Sequence, residues 1–292
     1  MERVIPTPVR TCVAGGPRDV LVTGLPRGGT TLVARLLGTL PGTVALDEPM
    51  DARTFMTGGT DDELVDGIAE FLRTQRRSLA ERGTAISLQT GGTIADNRVG
   101  AARDANGRRV RNGGARGEIR VDKPLPRDFV LVMKHNGPFA ALIGPLCARF
   151  ETFAVVRNPL AVLASWNTVS LPVGRGHVPT AEAIDARLGA ELAATPDVVA
   201  RQIRILDWFC ARFRAAVPAE RVIRYEDVVA TGGASLCVVS PHAASLSETL
   251  SSRNHNELYD PGEMREVGRR LLDTDGAYWH FYSRESVEEL IP

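Results

Sequence analysis

The feature that most restricts the fold lies near the start of the chain. Asp19-Val20-Leu21-Val22-Thr23-Gly24 is a short apolar run closed by glycine, which reads as a buried strand. Residues 30–40 follow with Leu32, Val33, Leu36, Leu37 and Leu40 at three- and four-residue spacings, the period of an amphipathic helix. Between them stands Leu25-Pro26-Arg27-Gly28-Gly29. Strand, glycine-bearing turn and helix open a βαβ unit. The alternation continues, with candidate strands at 129–133, 153–156 and 221–225 and candidate helices at 61–82, 139–150, 159–168, 198–216 and 262–272. Asn158 before Pro159, and Asp260 before Pro261, pair a helix cap with a proline at the first helical position, where a missing N–H costs nothing. The expected fold is α/β: a P-loop-type parallel sheet flanked by helices on both faces, forming one domain over residues 1–292.

One stretch departs from this pattern. Residues 84–120 are rich in glycine and arginine and have weak periodicity; residues 98–120 carry seven arginines against Asp104 and Glu118. An irregular insertion of this length inside a compact domain is a functional lid or a mobile surface loop. Elsewhere the charge is even, 35 Lys+Arg against 35 Asp+Glu, which argues against a surface given over to nucleic acid. No apolar run is long enough for a membrane span. Residues 1–19 lack the apolar stretch of a secretory leader, so a cytoplasmic location is expected. Cys12, Cys147, Cys210 and Cys237 have neither metal-site spacing nor a disulfide framework. Lys123 and Lys134 are the only lysines, and the excess of arginine reads as the coding bias of a GC-rich bacterial genome. A lysine kept in such a chain is a candidate for a chemical role.

The glycine-bearing turn has a chemistry of its own. Glycines let the backbone turn tightly with N–H groups inward, and the following helix brings its positive dipole end to the same point. Together they make a cradle for a phosphate. The spacing Gly24-x4-Gly29 matches the first half of a Walker A loop, but Thr30 stands where a nucleotidase needs lysine. The candidate strands end in Lys134 and Arg157, and no metal-holding aspartate follows them. The loop is therefore expected to hold a phosphate-bearing ligand without γ-phosphate chemistry and without a metal.

Thr23-Gly24-Leu25-Pro26-Arg27-Gly28-Gly29-Thr30-Thr31-Leu32 resembles the 5′-phosphosulfate loop of sulfotransferases that use 3′-phosphoadenosine 5′-phosphosulfate (PAPS), here of bacterial type. Gly28 stands where serine is usual in that family. Phe153-Ala154-Val155-Val156-Arg157-Asn158-Pro159 through Ser165-Trp166 is similar to the family's 3′-phosphate loop, in which an arginine and a serine eight residues later hold the 3′-phosphate; Arg157 and Ser165 have that spacing. A guanidinium fork with a hydroxyl donor suits a dianion. Arg224-Tyr225-Glu226-Asp227 is similar to a family segment that is chiefly architectural. Arg253, in Ser251-Ser252-Arg253-Asn254, lies where related enzymes place a loop against the nucleotide.

The resemblance implies a PAPS-dependent sulfotransferase moving a sulfuryl group to a hydroxyl or amine of a small-molecule or carrier-bound acceptor, with adenosine 3′,5′-bisphosphate as the other product. It implies donor contacts from Arg27, Gly28, Gly29, Thr30, Thr31, Arg157, Ser165 and Arg253. Fixed positive charge at the leaving oxygen would come from Arg27 and from Lys134 at a strand end. Two residues are candidates for the base that takes the acceptor's proton, Glu48 and His135. Glu48, 21 residues after Arg27, is preferred because it keeps the spacing of the glutamate in tyrosylprotein sulfotransferases. A glutamate needs burial to raise its proton affinity, whereas histidine titrates near ~6.5 unaided. Two other classes remain open from the residues: a degenerate P-loop kinase using ATP, and a non-catalytic nucleotide-binding protein. Acceptor identity and oligomeric state are not legible.

Overall fold

The computed structural model describes residues 18–94 and 98–292; Cys12 and the reading of the N-terminal stretch through residue 17 lie outside them. The chain opens with β1 (Arg18–Gly24), α1 (Thr30–Thr39), β2 (Thr43–Asp47) and α2 (Asp61–Arg82). Helix α2 is fixed at both ends by its sequence. Thr60 and Glu63 form a reciprocal capping box at the start, and Gly83, at φ 68°, ends it. A segment with β3 (Thr84–Gln89), β4 (Val99–Arg103), β5 (Arg109–Arg111) and β6 (Ala115–Arg120) leads to β7 (Val130–Lys134), α3 (Gly137–Ala141), α4 (Ile143–Arg149) and β8 (Glu151–Val156). The remainder is α5 (Pro159–Asn167), α6 (Pro179–Ile184), α7 (Ala186–Ala193), α8 (Val198–Ala216), β9 (Val222–Arg224), α9 (Tyr225–Ala230), α10 (Pro261–Leu272) and α11 (Arg284–Glu288).

Five strands form one parallel sheet in the order β2-β7-β1-β8-β9. Strand β1 is central and covered on both faces, as its continuous apolar run requires. Val20 and Val22 pack with Val33, Leu36 and Leu37 of α1, while Leu21 faces Ile68 and Leu72 of α2. Ala154 and Val156 of β8 pack among α5, α8 and α10. The chain builds toward one edge through β2 and β7, then crosses β1 to lay β8 and β9 on the other side. Such a reversal opens a crevice at the carboxyl ends of the strands beside β1. The expected α/β fold with helices on both faces is what the chain forms. Among the described residues no helix is long and apolar enough to cross a membrane.

Three local expectations are corrected. The insertion at 84–120 is not irregular: β3 pairs antiparallel with β6, and β4 with β5. Its strands escaped notice because β4, β5 and β6 are largely solvated and carry no apolar alternation. Strand β2 was not anticipated, and it ends in an aspartate, Asp47. The helix expected over 139–150 is two helices broken at Leu142. Pro145 has no N–H to donate one turn back to the Ala141 carbonyl, and Arg212 Nη1 donates to that oxygen instead, at 2.8 Å. Asn158 caps α5 as its sequence implies, accepting from the N–H groups of Leu160 and Ala161.

Candidate functional site

A cavity of about 790 Å³ opens where β1, β7 and β8 end. Arg27, Gly29, Thr30, Thr31, Glu48, Lys134, Arg157, Ser165 and Arg253 line it; of the residues singled out in the sequence, Gly28 and His135 do not. Eight basic side chains reach its wall against two carboxylates, Glu48 and Glu248, counted among the described residues. That surplus makes it a site for anions.

The loop between β1 and α1 is built by close contact. A Cβ on Gly24 would stand 2.5 Å from the Val155 carbonyl oxygen, so glycine lets β1 run tight against β8. Gly28 donates to the Leu25 carbonyl at 2.8 Å, and a Cβ there would meet that same oxygen at 2.8 Å. Gly28 thus closes the turn from behind and does not line the cavity, where a donor contact was expected of it. Gly29 is left-handed at φ 95° and leads into α1, whose first turn has no side-chain cap and no acid. Its backbone donors are the ones a helix leaves without partners of its own, and Thr30, Thr31 and Leu32 line the cavity.

Arg27 and Glu48 are the non-glycine residues with positive φ among those described, at 63° and 40°. Both line the cavity. Such conformations cost about 1–3 kcal/mol each and persist where surrounding structure imposes them. At Glu48 the imposing contacts are visible. Its N–H donates to the Lys134 carbonyl at 2.8 Å, its own carbonyl accepts from Arg116 Nε at 2.9 Å, and its carboxylate is gripped on both oxygens.

That grip forms one end of the site. Lys134 Nζ lies 3.0 Å from Glu48 Oε1 and 3.2 Å from Asp47 Oδ1, while Arg98 donates to Glu48 Oε2 at 2.6 Å and pairs with Asp47 Oδ2. Asp47 and Lys134 are fully buried, each 1% exposed, on neighbouring strands in register. Burial would raise the Glu48 carboxyl, but Lys134 and then Arg98 outweigh it and hold the group well below the usual carboxylate range. The burial that a glutamate base needs is present, but two cations arrive with it and reverse its effect. The strand-end aspartate is corrected too, since Asp47 exists but is committed to Lys134 and Arg98. The other lysine, Lys123, donates to the Gly38 and Leu40 carbonyls at 2.6 and 2.7 Å and closes the end of α1.

His135, the other base candidate, points away from the cavity. Its Nε2 accepts the Met50 N–H at 3.2 Å, and its ring sits between Phe55 and Phe139 with centroids 5.5 and 5.0 Å away. Burial, with Lys134 and Arg116 adding, pushes the imidazole down to about 3. It is a buried, neutral ring packed in the core, and the structure does not bring it to the cavity wall where a catalytic base was expected.

The other end of the site gathers guanidinium groups. Arg157 stacks over the Tyr225 ring at 4.7 Å and donates from Nε to Asn254 Oδ1 at 2.9 Å. It also donates to the Arg27 carbonyl (3.0 Å), to the Tyr259 hydroxyl (3.2 Å) and to the Arg253 carbonyl. Arg27 Nε donates to Ser165 Oγ at 3.4 Å. Burial first, then the neighbouring Arg109 and Arg157, bring the Arg27 guanidinium down to about 10. Glu226 holds the surroundings together by accepting from the Asn158 N–H, Asn254 Nδ2 and the Tyr282 hydroxyl, as the architectural reading of its segment implies.

Arg98, Arg109, Tyr225 and Tyr259 were not identified from sequence. Tyr225 carries more than architecture: its ring lies under Arg157 and limits Gly29, and its hydroxyl accepts the Arg253 N–H at 2.9 Å. The excess of arginine in 98–120 was the signal for Arg98 and Arg109, but it did not say which of the seven turn inward. No protein-family model matches the sequence, and no curated protein matches it.

Proposed function

We propose that this chain is a sulfotransferase that takes its sulfuryl group from PAPS and passes it to a hydroxyl or amine of a small-molecule or carrier-bound acceptor. The observation that carries the reading is the convergence of the α1 loop, Lys134, Arg157 and Ser165 on one strongly cationic cavity, although the loop lies more than a hundred residues before the other three. Two anionic ends of one nucleotide are then met by two sets of donors: the uncapped first turn of α1 with Arg27, and Arg157 with Ser165 and Arg253.

The donor supplies an activated sulfuryl group whose bond to the 5′-phosphate oxygen breaks as the acceptor oxygen bonds to sulfur. The protein's part is alignment and fixed charge. Arg27 and the α1 amides stabilise the charge left on the phosphate oxygen. Lys134, held at a strand end, neutralises the oxygens of the transferring group. Glu48 accepts the acceptor's proton; as Lys134 turns from its carboxylate toward the transferring group, the proton affinity of Glu48 rises.

Titration calorimetry with adenosine 3′,5′-bisphosphate, beside ATP with magnesium, tests the reading. Tight binding of the bisphosphate and weak binding of ATP are expected. Preference for ATP with magnesium would replace this reading with the kinase one. Bisphosphate binding without transfer to any of a broad acceptor panel would leave a nucleotide-binding protein.

A further inference from the structure

Arg157 is an unexpectedly poor fork for a phosphate on its own. Its Nε, Nη1 and Nη2 all donate to protein: Asn254, the Arg27 carbonyl, the Arg253 carbonyl and Tyr259. A guanidinium so committed has little left to offer a dianion. Arg109 is in the opposite condition. It lines the same cavity, and its guanidinium has one hydrogen-bond partner, Thr168 Oγ1 at 3.0 Å from Nη2. Its Nε is buried without a partner, a costly state for a charged donor group. Among the described residues no carboxylate pairs with Arg109, Arg157 or Arg253. Burial lowers Arg109, and the neighbouring Arg103 and Arg253 lower it further, while Arg109 in turn depresses Arg27. It therefore sits inside the guanidinium cluster, not beside it.

The backbone fixes it there. The Arg109 N–H donates to the Thr168 carbonyl at 2.9 Å and its carbonyl accepts the Ser170 N–H at 2.8 Å, a bridge that ties β5 to the end of α5. Ser165 is one turn back on that helix. The insertion is thus bolted to the helix that carries the serine, and through Arg109 it brings a guanidinium with uncommitted donors to that end of the cavity.

We propose that Arg109 is a ligand of the dianionic phosphate assigned to Arg157 and Ser165, so that the insertion forms one wall of the donor's 3′-phosphate site. This rests on the PAPS reading above. Arg157 then serves chiefly as the anchor that holds Arg253, Asn254 and Tyr259 in place, and Arg109 supplies the planar fork.

The test compares adenosine 3′,5′-bisphosphate with adenosine 5′-monophosphate, which lacks the 3′ group, on the full chain and on Arg109→Ala and Arg109→Lys, with thermal melts of each. Arg109→Ala is expected to bind the bisphosphate about ten- to a hundred-fold more weakly and the monophosphate unchanged, the scale of a lost charge-assisted bond. Arg109→Lys should recover part of the preference, since charge returns without the fork. Equal weakening toward both nucleotides, in either variant, would mean that Arg109 only braces the fold, and would overturn the proposal. If the parent binds the bisphosphate and Arg109→Ala binds it as tightly, the donor reading stands and the assignment of Arg109 alone falls. If the parent itself does not prefer the bisphosphate over the monophosphate, the donor reading falls and takes this proposal with it.

Discussion

The two ends of the cavity are built on opposite electrostatic plans. At the β2–β7 end, Asp47 and Glu48 face Lys134 and Arg98, so charge is matched within the protein and every carboxylate oxygen lies near a cation. At the α5 end, Arg27, Arg109, Arg157 and Arg253 crowd together, and the last three have no acid partner among the described residues. A matched cluster keeps a functional group in a defined place and state. A like-charged cluster raises the energy of the folded chain unless an anion joins it. The first plan suits a group that must be positioned for chemistry; the second suits a seat for phosphate.

The sharpest way to break this contrast is at the matched end. Glu48→Gln keeps the shape of the side chain but cannot take a proton. In the proposed reaction, turnover should fall about a hundred- to ten-thousand-fold, the usual share of a general base, while bisphosphate affinity by calorimetry stays near the parent's. A nearly unchanged rate would make the matched cluster purely structural. At the unmatched end the order reverses. Arg157→Ala should weaken bisphosphate binding by ~1.5–3 kcal/mol. It should also lower the melting temperature, because four hydrogen bonds to protein and the stack on Tyr225 go with it. Undiminished affinity in that variant would show that Arg157 neither binds the nucleotide nor keeps the α5 end in order for it.

How much of this was legible in the sequence differs between the two ends for a physical reason. Gly24, Gly29, Thr30, Arg157 and Asn158 sit where a strand ends and a helix begins, and such junctions carry local signals: a tight turn, a cap, a proline; Ser165 follows two turns on, at a fixed spacing within the same helix. The expected helix over 61–82 matches α2 for the same reason, since Thr60, Glu63 and Gly83 mark its ends. Arg98, Arg109 and the pairing of Asp47 with Lys134 depend on strand order and on an insertion folding back. Nothing within a few residues of them announces that. β2, fully buried yet only five residues long, lies too close to Pro41 and Gly42 to stand out from a loop. His135 misled because histidine next to lysine looks the same in a sequence whether the ring faces a cavity or a core.

His135 gives the next test. The folded imidazole titrates at about 3, against ~6.5 when unfolded. Between those values the unfolded chain binds a proton that the folded chain refuses, so stability falls as pH drops from ~6.5 toward 3, by up to ~1.4 kcal/mol per pH unit. His135→Gln keeps an acceptor for the Met50 N–H and does not titrate. Denaturant midpoints should show a flatter acid side in this variant, and its turnover at neutral pH should persist. Loss of turnover with normal stability would restore His135 as a base.

The smallest expected effect probes how the insertion meets the matched end. Arg98 is one of the two cations that hold Glu48 below the ordinary carboxylate range, and it comes from the insertion, whereas Lys134 comes from the sheet. Removing the charge in Arg98→Gln leaves Lys134 in place, so Glu48 should rise part of the way toward its unfolded value. A depressed carboxylate adds stability above that unfolded value, and the addition disappears as pH falls through the folded one. The variant should therefore be less stable at neutral pH, and the difference should shrink on acidification. The acid limb of its pH–rate profile should move up by about one pH unit. A limb that stays put would show that Lys134 alone sets the state of Glu48, and that the insertion's electrostatic reach ends at the α5 side of the cavity.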